Sequence, residues 1–398
     1  MTTDARDLAY ATSQIVADLE PELIDVRRDL HAHPEPSWQE LRTCDVVAAR
    51  LEKAGIAVQG LPRSGLVAEV GDPDAGPVVA LRADLDALPL VDETTDPWRS
   101  TVDGVAHACG HDVHTASLLG AGLALAEHHR ASPLPGRVRL LFQPAEEVMP
   151  GGALDLIAAG VLEDVTSIFA LHCDPSIDAG TIGLREGPIT AATDSVTVRL
   201  RGKGGHTSRP HLTQDLTFAL AKLVTDVPGA LSRRLDPRAG ASLVWGRIGA
   251  GSAANVIPAY GEVAGTLRVL DIRAWAQAQQ IVDEVVRAVV APYGVSAEVE
   301  HVRGVPPVVN EPWAAGHLAA AAGQMVGVGS LVGTEQSLGG EDFAWYLESV
   351  PGAMARLGTR TPGGPTFDLH QGNLRVDDAS VPVGSKLLAQ VALQALVS

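Results

Sequence analysis

Short apolar runs alternate with segments of helical spacing over much of the chain. Runs of this kind predict strands that are buried on both faces. We place these strands, and the helices between them, at residues 77–82, 115–129, 137–142, 152–160 and 167–171. Residues 20–54 also have helical spacing, but two prolines within residues 31–36 must interrupt it. The alternation predicts an α/β fold with a mainly parallel, two-sided sheet.

The middle of the chain has a different pattern. Polar and apolar residues alternate strictly over residues 194–201, as in a strand with one exposed face. The elements that follow are a helix, two strands, a helix and a strand, predicted at residues 213–225, 241–249, 259–269, 272–291 and 295–302. This β-α-β-β-α-β order is the ferredoxin-like plan. We therefore predict an inserted α+β domain at residues 188–303, between two parts of one domain at 1–187 and 304–398.

Composition and charge narrow the function classes. The chain has 398 residues, of which 46% are hydrophobic, so it can bury two cores. Its formal net charge is −18, which disfavours binding to nucleic acid or to an anionic membrane. No apolar run approaches the roughly 18 residues of a membrane helix, and the first residues do not resemble a signal peptide. Three cysteines disfavour a disulfide framework, and we expect a cytoplasmic protein.

Polar side chains of metal-binding types follow the predicted core strands. The carboxyl ends of strands in an open α/β sheet are where ligands bind. The candidates near these ends, including a histidine after a predicted strand at 353–357, are Cys109, His111, Glu147, His172 and His370. Five such ligands are too many for one open catalytic ion and suit two ions that share a bridging ligand. Zinc, manganese, cobalt and nickel all accept this donor set.

Glu146 and Glu147 are adjacent, and consecutive side chains in extended backbone point in different directions. We predict that one binds metal while the other acts as a general base. The alternative is a solvated surface pair, and a lone histidine after a strand is more often structural than functional. His206 lies in a glycine-rich loop of the inserted domain, where Asn255 and Arg268 stand near predicted strand ends. An arginine there is a surface residue or a carboxylate clamp.

Several linked motifs together resemble one enzyme family over nearly the whole chain. They are the stretches at residues 28–35, 81–89, 107–112, 142–147, 204–208, 254–258 and 339–343. The chain resembles the amidohydrolase branch of the dinuclear metallopeptidases, which contains hippurate hydrolase, indole-acetyl-amino-acid hydrolase and N-acyl-amino-acid amidohydrolases. Aminoacylase and glutamate carboxypeptidase are related to this branch.

The resemblance implies a role for each candidate. The five residues Cys109, His111, Glu147, His172 and His370 correspond to ligands of two divalent ions, manganese or zinc, with cobalt or nickel as further options. Glu146 corresponds to the general base, and Asp84 to the acid that supports the base or a ligand. His206 corresponds to a histidine that reaches the partner subunit's site and stabilises the oxyanion. Asn255 and Arg268 correspond to substrate-binding residues, and the inserted domain to a lid through which the family is commonly a homodimer.

The expected reaction is metal-dependent hydrolysis of the amide bond of an N-acyl amino acid, with no nucleic-acid or membrane partner. Two departures are visible: Arg82 stands where related peptidases have a histidine, and residues 148–150 replace a more glycine-rich stretch. Three alternatives stay open. They are cleavage of a dipeptide or of aminobenzoyl-glutamate on the same scaffold, a non-enzymatic binding protein, and a thiol enzyme with Cys109 as nucleophile.

Overall fold

A computed structural model describes residues 3–325, 327 and 329–398. Met1 and Thr2, the first two residues of the domain predicted at 1–187 and 304–398, lie outside the described residues. The chain divides into two compact units. The larger unit comprises the residues up to Ile189 together with Val309–Glu335 and Asp342–Ser398, and the smaller comprises Thr190–Val308 and Gln336–Glu341. The smaller unit thus starts two residues after the boundary predicted at 188 and continues five residues beyond 303.

The helices of the described residues, in chain order, are α1 (Thr3–Ala32), α2 (Leu41–Lys53), α3 (His111–Ala131), α4 (Ala153–Ala158), α5 (Leu216–Arg234), α6 (Ile272–Val290), α7 (Pro312–Met325), α8 (Ala344–Leu347) and α9 (Ser380–Ala395). Helices α5 and α6 belong to the smaller unit. None of these helices is both long enough and apolar enough to cross a bilayer.

The strands of the larger unit are β1 (Val58–Gly60), β2 (Leu66–Val70), β3 (Val78–Asp84), β4 (Arg137–Gln143), β5 (Val165–Asp178), β6 (Ile182–Leu184) and β7 (Gly187–Pro188). The smaller unit follows with β8 (Ala192–Arg201), β9 (Gly205–His206), β10 (Ser242–Ala250), β11 (Val256–Ile257), β12 (Tyr260–Val269) and β13 (Ser296–Val305). The larger unit resumes with β14 (Val309–Asn310), β15 (Leu331–Gly333) and β16 (Gly352–Arg360).

The larger unit is built on an eight-stranded sheet of order β1-β2-β4-β3-β5-β16-β6-β15. Its central strands β4, β3, β5 and β16 are all parallel, and antiparallel pairing enters through β1, β2 and β6. The prediction of an α/β fold with a large, mainly parallel sheet is therefore confirmed. Strand β5 is longer than the predicted 167–171, because it continues through His172 to Asp178.

The two faces of this sheet differ in chemistry. Alternate residues of the central strands, such as Leu81 on β3 and Leu171 on β5, join one hydrophobic core with residues of α1, α3 and α9. The residues between them point to the other face, because successive side chains of a strand alternate. That second face carries buried polar side chains near the carboxyl ends of the central strands. They are Arg82, Asp84, Gln143, His172 and Arg356.

The smaller unit has the predicted ferredoxin-like topology. Strand β8, helix α5, strands β10 and β12, helix α6 and strand β13 follow one another along the chain. The four strands pair in the order β10-β12-β8-β13, and every neighbouring pair is antiparallel. Asp271 caps the N-terminus of helix α6, and its carboxylate accepts hydrogen bonds from the amides of Arg273 and Ala274. Strands β9 and β11 form a separate two-stranded sheet.

Asp194 ties β8, β13 and α6 of the smaller unit together. One carboxylate oxygen accepts from Trp275 Nε1 at 2.9 Å and from the Gly304 amide at 3.0 Å. The other oxygen lies 2.7 Å from His301 Nε2. The side chain is 2% exposed, so removing it would leave buried donors without acceptors.

We expect Asp194→Ala to lower the free energy of unfolding by about 2–4 kcal/mol. Asp194→Asn should cost less than about 1.5 kcal/mol, because its amide oxygen can accept both donors while its NH₂ group donates to the other histidine tautomer. Urea unfolding, with hydrogen exchange on β8 and β13, measures both changes. The control is Asp226, whose 39% exposed side chain pairs with Lys222: Asp226→Ala should change the free energy of unfolding far less than Asp194→Ala does. An Asp194→Ala cost no larger than this control would contradict the prediction.

Candidate metal centre

Cys109 and His111 are placed by the start of α3. His111 is the first residue of the helix, and Gly110 before it has a φ of +88°. A Cβ atom at Gly110 would lie 2.7 Å from Cys173 Sγ, so both the left-handed backbone and the close approach require glycine. The side chains of Cys109 and His111 are 4% and 0% exposed. The left-handed backbone of Gly110 and the start of α3 therefore fix the two candidate ligands on either side of this glycine.

Glu146 and Glu147 lie in a bend after β4, not in extended backbone. The bend is formed by Ala145, whose φ is +55°. Its geometry is held by hydrogen bonds from the amides of Glu146 and Glu147 to the Asp86 carboxylate, both at 3.0 Å. We expected the alternation of side chains in extended backbone to separate the two glutamates, but they do not lie in extended backbone. A buried acid, Asp86, orients them instead.

The structure brings the five predicted ligands together. Cys109 Sγ lies 3.6 Å from His172 Nε2, and His370 Nε2 lies 3.3 Å from Glu147 Oε1. His111 Nε2 is 3.8 Å from the same glutamate oxygen. Three overlapping sets of ligand atoms each fall within 4.8 Å. They are Cys109 with His111 and His172, Cys109 with Glu147 and His370, and His111 with Glu146 and Glu147. The shared members make one continuous cluster, as a site for two neighbouring ions requires.

Several polar atoms of the cluster lack a hydrogen-bond partner. Both ring nitrogens of His111 and Oε1 of Glu147 are buried and make no hydrogen bond within the described residues. His172 donates from Nδ1 to the Cys173 carbonyl at 2.8 Å, which leaves Nε2 directed towards Cys109. Orphaned buried polar atoms are costly unless another group binds them. The donor set therefore fits divalent metal ions, which take imidazole, thiolate and carboxylate ligands.

The electrostatics of the cluster also favour a cation. Burial lowers the pKa of His111, but the carboxylates of Asp84, Asp86 and Glu147 outweigh it and raise the pKa to about 10. Burial, reinforced by Glu147 and Glu146, raises the pKa of the Cys109 thiol well above its usual value. An isolated thiolate is thus strongly disfavoured at Cys109, which argues against the thiol-enzyme alternative. A bound cation would offset this negative potential and stabilise the thiolate as a ligand.

Asp84 supports the cluster from beside it. Its Oδ1 accepts from His114 Nδ1 at 2.5 Å, and its Oδ2 accepts from Arg82 at 2.7 Å. Burial raises the pKa of Asp84, but His111, His114 and Arg82 together bring it well below its usual value. Both oxygens are engaged by these partners, so the carboxylate suits a supporting role. Arg82 itself is buried and also donates to Gln143 and Asp342.

Sequence reasoning assigned no role to His114, Asp86 or Glu40, yet each orients a candidate site residue. His114 bonds Asp84 and accepts from the Cys173 amide at 2.7 Å. Glu40 accepts from the amide of Ala145 at 2.8 Å. A signal existed for two of them: His114 is one helical turn after His111, and Asp86 is two residues after Asp84. Nothing in the sequence near Glu40 indicates its distant partner.

The remaining predicted site residues lie in the smaller unit. His206 on β9 pairs with Val256 on β11, which directly follows Asn255. The Asn255 carbonyl accepts from the Thr207 amide at 3.2 Å, so His206 and Asn255 are neighbours. Arg268 is on β12, in the other sheet of this unit, and its guanidinium donates to Thr193 Oγ1 at 3.2 Å and to the Leu338 carbonyl.

Comparison with known proteins gives a consistent result. Residues 80–394 match the family described as Peptidase family M20/M25/M40. A Bacillus subtilis relative named N-acetylcysteine deacetylase is 38% identical over 376 residues, which cover 93% of this chain and 96% of that protein. A Rhodococcus jostii protein that carries the name glutamate–cysteine ligase 2-3 is 50% identical over 386 residues, 97% of this chain. The chain spans about half of that protein's length, 48%.

The fold is similar to a solved structure over its whole length. The crystal structure of the Bacillus subtilis YxeP protein, described as a dinuclear metal binding peptidase from the M20 family, has a TM-score of 0.84 and 35% sequence identity. The match covers 96% of this chain and 99% of that one. The chain therefore belongs to the M20/M25/M40 peptidase family, and it is a metal-dependent hydrolase that acts on amides.

Proposed function

We propose that the chain hydrolyses the amide bond of N-acyl amino acids and releases a carboxylic acid and a free amino acid. The observation that carries this proposal is the convergence of five metal-binding side chains with Glu146 beside them. The name of the Bacillus subtilis N-acetylcysteine deacetylase supports the substrate class, because N-acetylcysteine is an N-acyl amino acid. The enzyme class is that of the family, and the substrate is our inference.

The five residues that would hold two divalent ions are Cys109, His111, Glu147, His172 and His370. When bound, such ions polarise the acyl carbonyl of a substrate and lower the pKa of an attacking water. The mixture of thiolate, imidazole and carboxylate ligands suits manganese or zinc, and cobalt or nickel would also be accepted. The chain's own contribution is to hold these ligands rigidly, through the hydrogen bonds of Asp86 and His172 described above.

Glu146 is the residue we assign as general base. Its carboxylate has an oxygen within 4.8 Å of ligand atoms of both His111 and Glu147, and the side chain is 7% exposed. It accepts the proton of the attacking water and then passes that proton to the leaving amine nitrogen. The hydrogen bond that its backbone amide donates to the Asp86 carboxylate holds the backbone of Glu146 in place during both transfers. Asp84, held by Arg82 and His114, is assigned the supporting acid.

The smaller unit is proposed as the lid and dimerisation domain, on the basis of the family resemblance. We assign His206 to stabilise the oxyanion in the site of a partner subunit. Asn255 would bind the substrate, and Arg268 would bind its carboxylate, for which a guanidinium is well suited. His206 on β9 and Asn255, which directly precedes the paired strand β11, are neighbours, and this supports a joint role for the two residues.

The side chains on the two edge strands of the four-stranded sheet, β10 and β13, indicate which edge would form a homodimer contact. On edge strand β10, Val244 and Ile248 are 64% and 56% exposed. The opposite edge strand β13 carries Glu298, Glu300 and Arg303, which protect an edge from pairing. Strand β10 also carries the charged Arg247, but it has two exposed large apolar side chains against one, Val302, on β13. Exposed apolar residues on an edge strand favour pairing with a second copy. We therefore place the dimer contact at β10.

A metal-removal experiment tests the reaction. Protein stripped by a chelator should lose at least about 100-fold in amine release from N-acyl amino acids, because both carbonyl polarisation and water activation are lost. Manganese, zinc, cobalt or nickel should restore it to different extents. The substrates are acetyl, benzoyl, indole-acetyl and long-chain acyl amino acids, with dipeptides and aminobenzoyl-glutamate alongside. If only dipeptides or aminobenzoyl-glutamate are hydrolysed, the proposed substrate class is wrong, and the enzyme is a dipeptidase or an aminobenzoyl-glutamate hydrolase.

Glu146→Gln tests the general base. The variant should bind the same number of ions per chain and show a similar KM, while kcat falls about 10²–10⁴-fold, because glutamine cannot carry the proton. Metal analysis and steady-state kinetics measure the two effects separately. The exposed Glu348 gives a matched control, since Glu348→Gln should leave kcat unchanged. A kcat within about threefold of the wild type would remove Glu146 from the base role.

Ile248→Lys tests the dimer. A lysine on the β10 edge should shift the protein from dimer to monomer, because its charge would be desolvated in the contact. The control is Val302→Lys, since Val302 is 52% exposed on the opposite edge strand β13. Light scattering after size-exclusion chromatography should find this control still dimeric. If the wild type is a monomer at micromolar concentration, the proposed contact is wrong.

A further inference from the structure

A second guanidinium is built into the polar face of the large sheet. Strands β5 and β16 are parallel neighbours, and His172 and Arg356 are direct partners in their register. Partners in register project to the same face of a sheet, about 4.8 Å apart. The adjacent pair Leu171 and Ala355 lies in the hydrophobic core on the opposite face. Arg356 therefore shares the face of a candidate metal ligand.

On the side away from β5, the neighbour of Arg356 is a glycine, which leaves space beside the Cβ atom of the arginine. Strand β6 places Gly183 beside Arg356. A Cβ atom at Gly183 would lie only 3.1 Å from the Arg356 Cβ and 3.1 Å from the Thr334 Cβ. Any other residue at this position would crowd the base of the arginine. The glycine thus allows a long cationic side chain to rise from the sheet beside the metal cluster.

The charge of Arg356 acts on the cluster. Burial is the main cause that lowers the pKa of His172, and the positive charge of Arg356 is the next, ahead of that of His114. The register of β5 and β16 places the two residues side by side on this face. The other buried guanidinium of this face, Arg82, is 1% exposed. Arg356 is 7% exposed, so solvent still reaches it.

A guanidinium in such a position has a clear chemical use. It binds carboxylates with two parallel hydrogen bonds, and a site poor in water strengthens this pairing. The proposed reaction supplies carboxylates: every N-acyl amino acid has an α-carboxylate, and some acyl groups end in a second one. The positive charge of the Arg356 guanidinium, added to that of the metal ions the site would hold, also attracts a ligand carboxylate.

We propose that Arg356 forms an anion subsite of the larger unit, beside His172, that binds a carboxylate of the substrate. This inference rests on the proposed function, because it names a specificity residue for that reaction. It is additional to the role assigned to Arg268 in the smaller unit. Two sources share this chemistry, the α-carboxylate and a carboxylate at the end of the acyl chain, and paired substrates separate them.

The experiment compares wild type, Arg356→Met and Arg356→Lys on matched substrates. N-succinyl-leucine and N-butyryl-leucine differ by the acyl carboxylate, and N-acetyl-leucine and its leucinamide differ by the α-carboxylate. For the carboxylated member of the relevant pair, Arg356→Met should raise KM about 10–100-fold with little change in kcat. Arg356→Lys should lose less, because it keeps the charge without the two-pronged geometry. The neutral member should change less than threefold.

The matched control is Arg360→Met on the same strand. Arg360 pairs with Asp178 at 2.6 Å near the end of β16, so its loss removes a guanidinium without touching the subsite. Metal content and thermal unfolding are measured for every variant. Equal losses on charged and neutral members, or losses that follow metal content, would overturn the subsite, because a structural or metal-holding role predicts those results.

A measurement of equilibrium binding tests the subsite independently of whether the protein hydrolyses N-acyl amino acids. If the wild type hydrolyses no N-acyl amino acid, the proposed function fails, and calorimetric titration with succinate then decides the subsite. Wild type should bind succinate at least tenfold more tightly than Arg356→Met, with Arg360→Met like wild type. Equal binding by all three proteins would overturn the inference on its own.

Discussion

Negative charge buried at the carboxyl ends of the central strands is the constraint around which the larger unit is organised. Burying a carboxylate is costly unless it is paired or hydrogen-bonded. Asp84 is balanced by Arg82 and His114, and Asp86 is balanced by Ser37 and two backbone amides. These partners satisfy the supporting acids, but both ring nitrogens of His111 and Oε1 of Glu147 make no hydrogen bond within the described residues. A bound divalent cation would take up these ligand atoms and offset the negative charge of the buried carboxylates.

The sheet has to supply a hydrophobic core and also to position polar groups, and each of its faces does one of these. Its apolar face packs against α1, α3 and α9 and supplies the hydrophobic stabilisation of the unit. Its other face carries polar groups whose positions are fixed by the ladder hydrogen bonds of the same strands. A functional group on a strand is held more rigidly than one on a loop. His172 benefits from this directly, because it lies within β5 and not after its end.

Much of this arrangement could be predicted from the sequence, and the exceptions have physical reasons. Apolar runs located β3, β4, β5 and β16, and residue chemistry at their ends singled out Cys109 and His370, because strand burial and ligand type are local properties. The full length of β5 was missed because its second half is only partly buried and lacks a continuous apolar run. The roles of Glu40 and His114 depend on partners far away in the chain, which periodicity does not reveal.

The bend that carries Glu146 and Glu147 has a consequence for how the site is loaded. Its three backbone amides are held by Glu40 and Asp86, which are protein groups and are present whether or not an ion is bound. Glu40 also accepts from the Ser64 hydroxyl, which anchors the bend to the segment before β2. The ligands are therefore preorganised by the polypeptide, so replacing one ion by another becomes an exchange reaction at a standing site and requires no refolding of the chain.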